Sequence, residues 1–79
     1  MSEQSDLIAA AITASLAQYF SDLDGEPPSA LYEMVLARME KPLLIDVLKR
    51  VDGNQSRASE MLGINRNTLR KKLQAYDLL

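Results

Sequence analysis

Helical spacing runs through almost the whole chain. Leu7, Ile8, Ala11, Ile12, Leu16, Tyr19, Phe20 and Leu23 recur at intervals of three and four, which predicts a first long helix. Gly25 suits the left-handed position that closes a helix, and Pro27-Pro28 prevents it from resuming. Ser29 is placed to cap a second helix through Leu31, Tyr32, Val35, Leu36, Met39, Leu43, Leu44, Val47, Leu48 and Val51. Pro42 lies well inside that stretch, yet the apolar positions keep one register on both sides of it. A bent but continuous helix follows, ended by Asp52-Gly53. Asn54 then caps a short helix to about Leu62, Gly63 makes a turn, and Asn65 caps a last helix through Leu69, Leu73 and Tyr76. No stretch alternates as a strand does, so the expected fold class is all-α with four helices.

The second helix is apolar over much of its girth. Leu31, Val35, Leu43 and Val47 lie on one side, and Leu36, Leu44, Leu48 and Val51 lie around the flank. Such a helix has to be covered on more than one face, and the chain holds only one other long helix. Two copies arranged about a two-fold axis would supply the cover, so the two long helices are expected to form an intertwined dimeric core. A monomer with its short helices folded back over that surface is the simpler alternative.

The last third has the layout of a helix-turn-helix. Ala58, Met61 and Leu62 would form one side of the helix crossing and Leu69, Leu73 and Tyr76 the other, with Ile64 plugging the turn. Gly63 stands where the backbone has to reverse closely. At about 100° per residue, setting Leu69 toward the core turns Asn67, Lys71 and Gln74 outward. Arg66 and Arg70 then lie on one shoulder, and Thr68 and Lys72 on the other. A helix that enters a DNA groove needs this division, with base readers outward and phosphate contacts on the flanks. An arginine fork at Arg66 matches the O6 and N7 acceptors of guanine. Each signal alone has a plainer meaning: asparagines cap helices, and Arg70-Lys71-Lys72 could be a solvated face. Their concurrence in about twenty residues favours a DNA reader.

Charge sharpens this picture. The 79-residue chain has a net charge of −2, but residues 1–48 carry two basic and eight acidic side chains, and residues 49–79 carry seven basic and three acidic. The halves are therefore −6 and +4, a basic module joined to an acidic one. There is no cysteine and no histidine, which removes disulfides, thiolate metal sites and the commonest general base. No nucleophile–base constellation, paired carboxylates on an apolar face or glycine-rich phosphate loop stands out, so no catalytic residue, metal or cofactor is expected and the chain is not expected to be an enzyme. Asp22, Asp24 and Glu26 read as a solvated turn. No apolar run approaches a membrane span, and the N-terminus lacks the basic start of a signal peptide. An intracellular protein of the bacterial cytoplasm is expected. A helical protein-interaction module, docking through its acidic half with little DNA affinity, is the competing reading.

Gly-Asn-Gln-Ser-Arg-Ala (53–58), Leu-Gly-Ile-Asn-Arg-Asn-Thr-Leu-Arg-Lys-Lys-Leu (62–73), Leu-Tyr-Glu-Met-Val-Leu (31–36) and Lys-Pro-Leu-Leu (41–44) resemble the bacterial factor for inversion stimulation (Fis) family. The similarity extends from about Ile8 onward and is most specific in residues 53–73. The same terminal module closes enhancer-binding activators of the nitrogen-regulation type, but here no ATPase precedes it, so a free-standing Fis-like domain over residues 1–79 is expected. The resemblance implies dimerisation through residues 1–52 and a helix-turn-helix unit in residues 53–79. It implies double-stranded DNA as partner, bent because the paired reading helices sit closer than the roughly 34 Å repeat of straight duplex. It assigns base contacts to Asn65, Arg66 and Lys71, and phosphate contacts to Asn54, Ser56, Arg57, Thr68, Arg70 and Lys72. Nucleoid organisation and transcriptional regulation are the implied roles, with RNA polymerase or a recombinase as further partners. Two departures stand out. Gln74-Ala75, followed by Asp77, stands where better-known members continue with two more lysines, which should weaken contact with flanking DNA and flatten the salt dependence of binding. Only about seven residues precede the first helix, so the arm that touches a recombinase in other members is short.

Overall fold

The computed structural model describes residues 3–79 and contains four helices: α1 (Glu3–Leu23), α2 (Leu31–Arg50), α3 (Gln55–Leu62) and α4 (Arg66–Ala75). Met1 and Ser2, part of the segment expected ahead of the first helix, lie outside the described residues. That helix starts at Glu3, well before Leu7. No strand occurs among the described residues.

Two compact units divide the chain, one up to Leu31 and one from Tyr32 to Leu79. In the first, Ile12, Leu16, Tyr19 and Leu23 form the half-buried stripe of α1, while Leu7, Ile8 and Phe20 are exposed. The Tyr19 and Phe20 rings meet edge to face, with centroids 5.9 Å apart. Asp24 and Gly25 both adopt positive φ, 51° and 89°, so the helix closes where the glycine suggested.

The second unit holds the core. Leu44, Val47 and Val51 meet Ala58 of α3 and Leu69 and Leu73 of α4, and Ala58, Leu69 and Leu73 are fully inaccessible to solvent. Leu48, Leu62, Ile64, Tyr76 and Leu78 pack around them. The core runs on across residues 52 and 53, because the C-terminal half of α2 is the third wall of the helix-turn-helix. Pro42 sits within α2 without interrupting it. At its start, the flanking residue is Ala30, with φ 52°, so Ser29 stands one position too early to be the cap.

Three helix ends in this unit close in the same way. The N–H of Gly53 donates to the Leu48 carbonyl at 2.8 Å, that of Ile64 to Ser59 at 3.1 Å, and that of Leu78 to Leu73 at 2.8 Å. Each bond reaches back five residues and is preceded by a left-handed residue: Asp52 (φ 52°), Gly63 (φ 74°) and Asp77 (φ 57°). At Gly63 this conformation is the whole reason for glycine. A Cβ added there would meet nothing within 4 Å, so the close backbone approach expected from the sequence is absent.

The crossing face of α3 also differs from expectation. Gln55, Ala58, Ser59 and Leu62 line the inward stripe, and Met61 is 56% exposed. The inward set follows the i, i+3, i+4, i+7 rule, and Met61 lies off it. Ser59 is tolerated in the core because its hydroxyl donates to the Ser56 carbonyl at 2.8 Å. Shortening a side chain at the centre of this small core should be costly. Leu69→Ala is expected to lose about 2–5 kcal/mol of stability through lost burial and the cavity left behind, read from urea unfolding curves of the two proteins.

Candidate nucleic-acid interface

The helix-turn-helix positions its polar residues through two asparagine caps. Asn54 has extended φ and ψ (−73° and 102°), and its Oδ1 accepts the Arg57 N–H at 3.1 Å. This cap fixes the first turn of α3, where Ser56 and Arg57 are exposed beside it. Asn65 does the same for α4: φ is −64°, ψ is 143°, and Oδ1 accepts the Asn67 N–H at 2.7 Å. With Oδ1 already accepting one bond, Asn65 keeps both N–H donors of its side-chain amide and one further lone pair for other partners.

On α4 the burial of Leu69 and Leu73 sets the phase of everything else. Arg66, Asn67, Thr68, Arg70, Lys71 and Gln74 are all exposed, and α3 packs against α4 on the opposite side. The helix carries four cations, Arg66, Arg70, Lys71 and Lys72, and no anion, with no acidic residue in its first turn. Arg66 occupies the first helical position, at the positive end of the helix dipole. A cation there costs about 0.3–1 kcal/mol, so its placement favours an anionic partner over fold stability. Among the described residues, Arg66, Arg70 and Lys71 form no ion pair.

Lys72 is different. Its Nζ lies 2.7 Å from Glu40 Oε2, across from α2, and the Tyr76 hydroxyl donates to Glu40 Oε1 at 2.6 Å. The shoulder position expected for Lys72 is thus turned toward the protein, because Lys72 and Tyr76 are one helical turn apart and both face Glu40. Sequence reasoning counted Glu40 only as part of the acidic half. Its signal was nevertheless present: Glu40 lies four residues from Leu36 and four from Leu44, on the inward stripe of α2, where a carboxylate requires partners.

The network shifts the titration of its members. The hydrogen bond from Lys72, then that from Tyr76, hold the Glu40 carboxyl below its ordinary 4.5. The bond to Glu40 raises the Tyr76 phenol above 10.0. A depressed carboxylate contributes stability that is present above its unfolded value and lost as pH falls through the folded one. The raised phenol contributes stability below its unfolded value, lost as pH rises through the folded one. Urea midpoints measured between pH 3 and 7 should accordingly fall more steeply at the acid end for the native chain than for Glu40→Gln. Parallel curves would show that Glu40 is unpaired in solution.

No cluster of three or more His, Cys, Asp or Glu side chains suited to a metal ion occurs among the described residues, and no described helix is long and apolar enough to cross a membrane.

Residues 35–76 match the profile described as bacterial regulatory protein, Fis family. That match begins within α2 and ends at Tyr76, so it spans the core described above. A Neisseria meningitidis protein described as Fis-like and DNA-binding is 56% identical over 72 residues, covering 91% of this chain and 91% of its own. A similarly described protein of Ralstonia nicotianae is 57% identical over 68 residues, covering 86% of this chain and 88% of its own. The DNA-binding protein Fis of Mannheimia haemolytica is 52% identical over 67 residues, 85% of this chain and 68% of its own length. With more than half the chain matched by the family profile and relatives of this identity aligned over most of it, the chain belongs to the Fis family of bacterial regulatory proteins.

Proposed function

We propose that this protein is a homodimeric, sequence-tolerant DNA-binding and DNA-bending protein that acts in nucleoid organisation and transcriptional regulation. The observation that carries the reading is the outward face of α4, where unpaired cations begin at the positive end of the helix and alternate with hydrogen-bonding side chains. Relatives named as DNA-binding proteins at this level of identity support it.

In this reading Arg66 and Lys71 donate to base edges in the major groove. Asn65 adds amide N–H donors at the start of α4, which can pair with guanine O6 or N7, adenine N7 or thymine O4. Asn54, Ser56, Arg57, Thr68 and Arg70 contact phosphates and set the register of the helix on the duplex. A degenerate site preference follows, with few base contacts and many backbone ones. Dimerisation through the two long helices is supported by Leu7, Ile8, Phe20, Tyr32, Met39 and Leu43, all exposed in the single chain. Bending, as in the family it resembles, arises when two reading helices engage successive grooves of one duplex. RNA polymerase or a recombinase would act as further partners of the DNA-bound dimer.

Two measurements test the reading. Sedimentation equilibrium should give twice the 8.8 kDa mass of one chain. A gel-shift titration with circularly permuted duplexes at two salt concentrations should give position-dependent mobility and binding that weakens steeply with salt. In the same assay, Arg66→Ala is expected to cost about 1–3 kcal/mol on a preferred duplex and less on random DNA. Equal losses on both would sink the base-reading role of Arg66. No shift at either salt would return the protein to an interaction module acting through its acidic half.

A further inference from the structure

Lys71 and Lys72 are neighbours in sequence, but they are about 100° apart on α4 and meet different surroundings. Lys71 is exposed and forms no ion pair among the described residues. Lys72 retains 33% of its side-chain exposure and is held at 2.7 Å by Glu40, whose own side chain is only 14% exposed. The carboxylate is engaged from one side, with Oε2 on Lys72 of α4 and Oε1 on the hydroxyl of Tyr76, one turn further on at the C-cap of that helix. Glu40 itself is fixed by its place on the inward stripe of α2, four residues before the buried Leu44.

A carboxylate at this distance offers an ammonium what a phosphate offers it: an anionic oxygen at hydrogen-bond range. It also offers it permanently, without the loss of a free partner's motion. We propose that Glu40 is a positioning residue that withholds Lys72 from DNA, so that Lys72 fastens the reading helix to α2 while Arg66, Arg70 and Lys71 make the cationic contacts. The proposal rests on the DNA-binding reading above. Its physical consequence lies in counterion release. Only a cation that neutralises a phosphate displaces a condensed counterion, and Lys72 is already neutralised by Glu40. The chain thus shows a salt dependence one phosphate contact weaker than the cations of α4 would suggest. Removing the charge of Glu40, rather than adding a lysine, should strengthen binding.

The test uses the full chain, one duplex and fluorescence anisotropy between 50 and 200 mM salt. Four proteins are compared: native, Glu40→Gln, Lys72→Met, and the double variant. Glutamine keeps an oxygen for the Tyr76 hydroxyl, and methionine keeps the apolar stem of the lysine. Glu40→Gln is expected to steepen the slope of log affinity against log salt by about 0.9, the increment of one phosphate, an effect of ~3-fold over this salt range. Lys72→Met should abolish that gain in the Glu40→Gln background and cost much less when Glu40 is present. Equal slope changes from Lys72→Met in both backgrounds would overturn the proposal, as would a flatter slope for Glu40→Gln.

A measurement without DNA keeps the two readings apart. Amine acetylation followed by mass spectrometry should modify Lys71 faster than Lys72 in the native chain, with the difference shrinking in Glu40→Gln. Equal rates in the native protein would overturn the pairing itself. Failure of the native chain to bind any duplex would remove the functional reading together with this inference. Salt-sensitive binding with additive variants would remove this inference alone.

Discussion

Three helices of the second unit meet over six buried side chains, and this small core decides where every outward residue points. Leu69 and Leu73 face Leu44 and Val47 of α2, Val51 just beyond it and Ala58 of α3, within one cluster. Helical geometry then leaves no freedom: once two leucines one turn apart face inward, Asn67, Lys71 and Gln74 face out. The alanine matters as much as the leucines. A larger residue at position 58, which has no exposed surface, would force α3 and α4 apart and tilt the outward face. The asparagine caps and the left-handed closures complete the frame by stopping each helix at a defined residue, so the turn between α3 and α4 has a fixed length.

Much of this was legible in the sequence because it is written locally. The asparagine caps, the glycine at position 63 and the 3.6-residue periodicity of α4 each act within a few positions of the residues that show them. The inward and outward sides of α4 followed from Leu69 alone. Long-range facts were harder to read. Met61 looked like a core residue because apolar side chains are usually inward, but α3 is amphipathic about a stripe that includes Ser59, whose hydroxyl is satisfied by the Ser56 carbonyl one turn back. The ion pair of Lys72 spans 32 residues, and nothing near Lys72 hints at it. What could have exposed it lies on α2, where one acidic residue interrupts an otherwise apolar stripe. The role of Gly63 was recognised, but its reason was backbone handedness and not crowding.

Apolar surface divides between two tasks in this chain. Val47, Val51 and Leu44 are spent inside the unit from Tyr32 onward. Tyr32, Met39 and Leu43 on the same helix remain exposed, as do Leu7, Ile8 and Phe20 of α1. One helix thus holds the reading unit together with one side and offers an uncovered apolar side elsewhere. That double duty explains why α2 looked apolar over so much of its circumference. Within the second unit, a change in the tilt of α2 would move α3 and α4 with it, since they share its core.

The separation of roles on α4 has a bearing on how such a protein changes over generations. Its outward residues contribute no buried surface, so substitutions there leave the core intact and, on the proposed reading, would alter partner preference. Its inward residues tolerate little, yet they carry no information about the partner. Preference and foldability can therefore drift independently along one ten-residue helix. Lys72 is the position where they are joined, since Glu40 makes a surface cation part of the architecture.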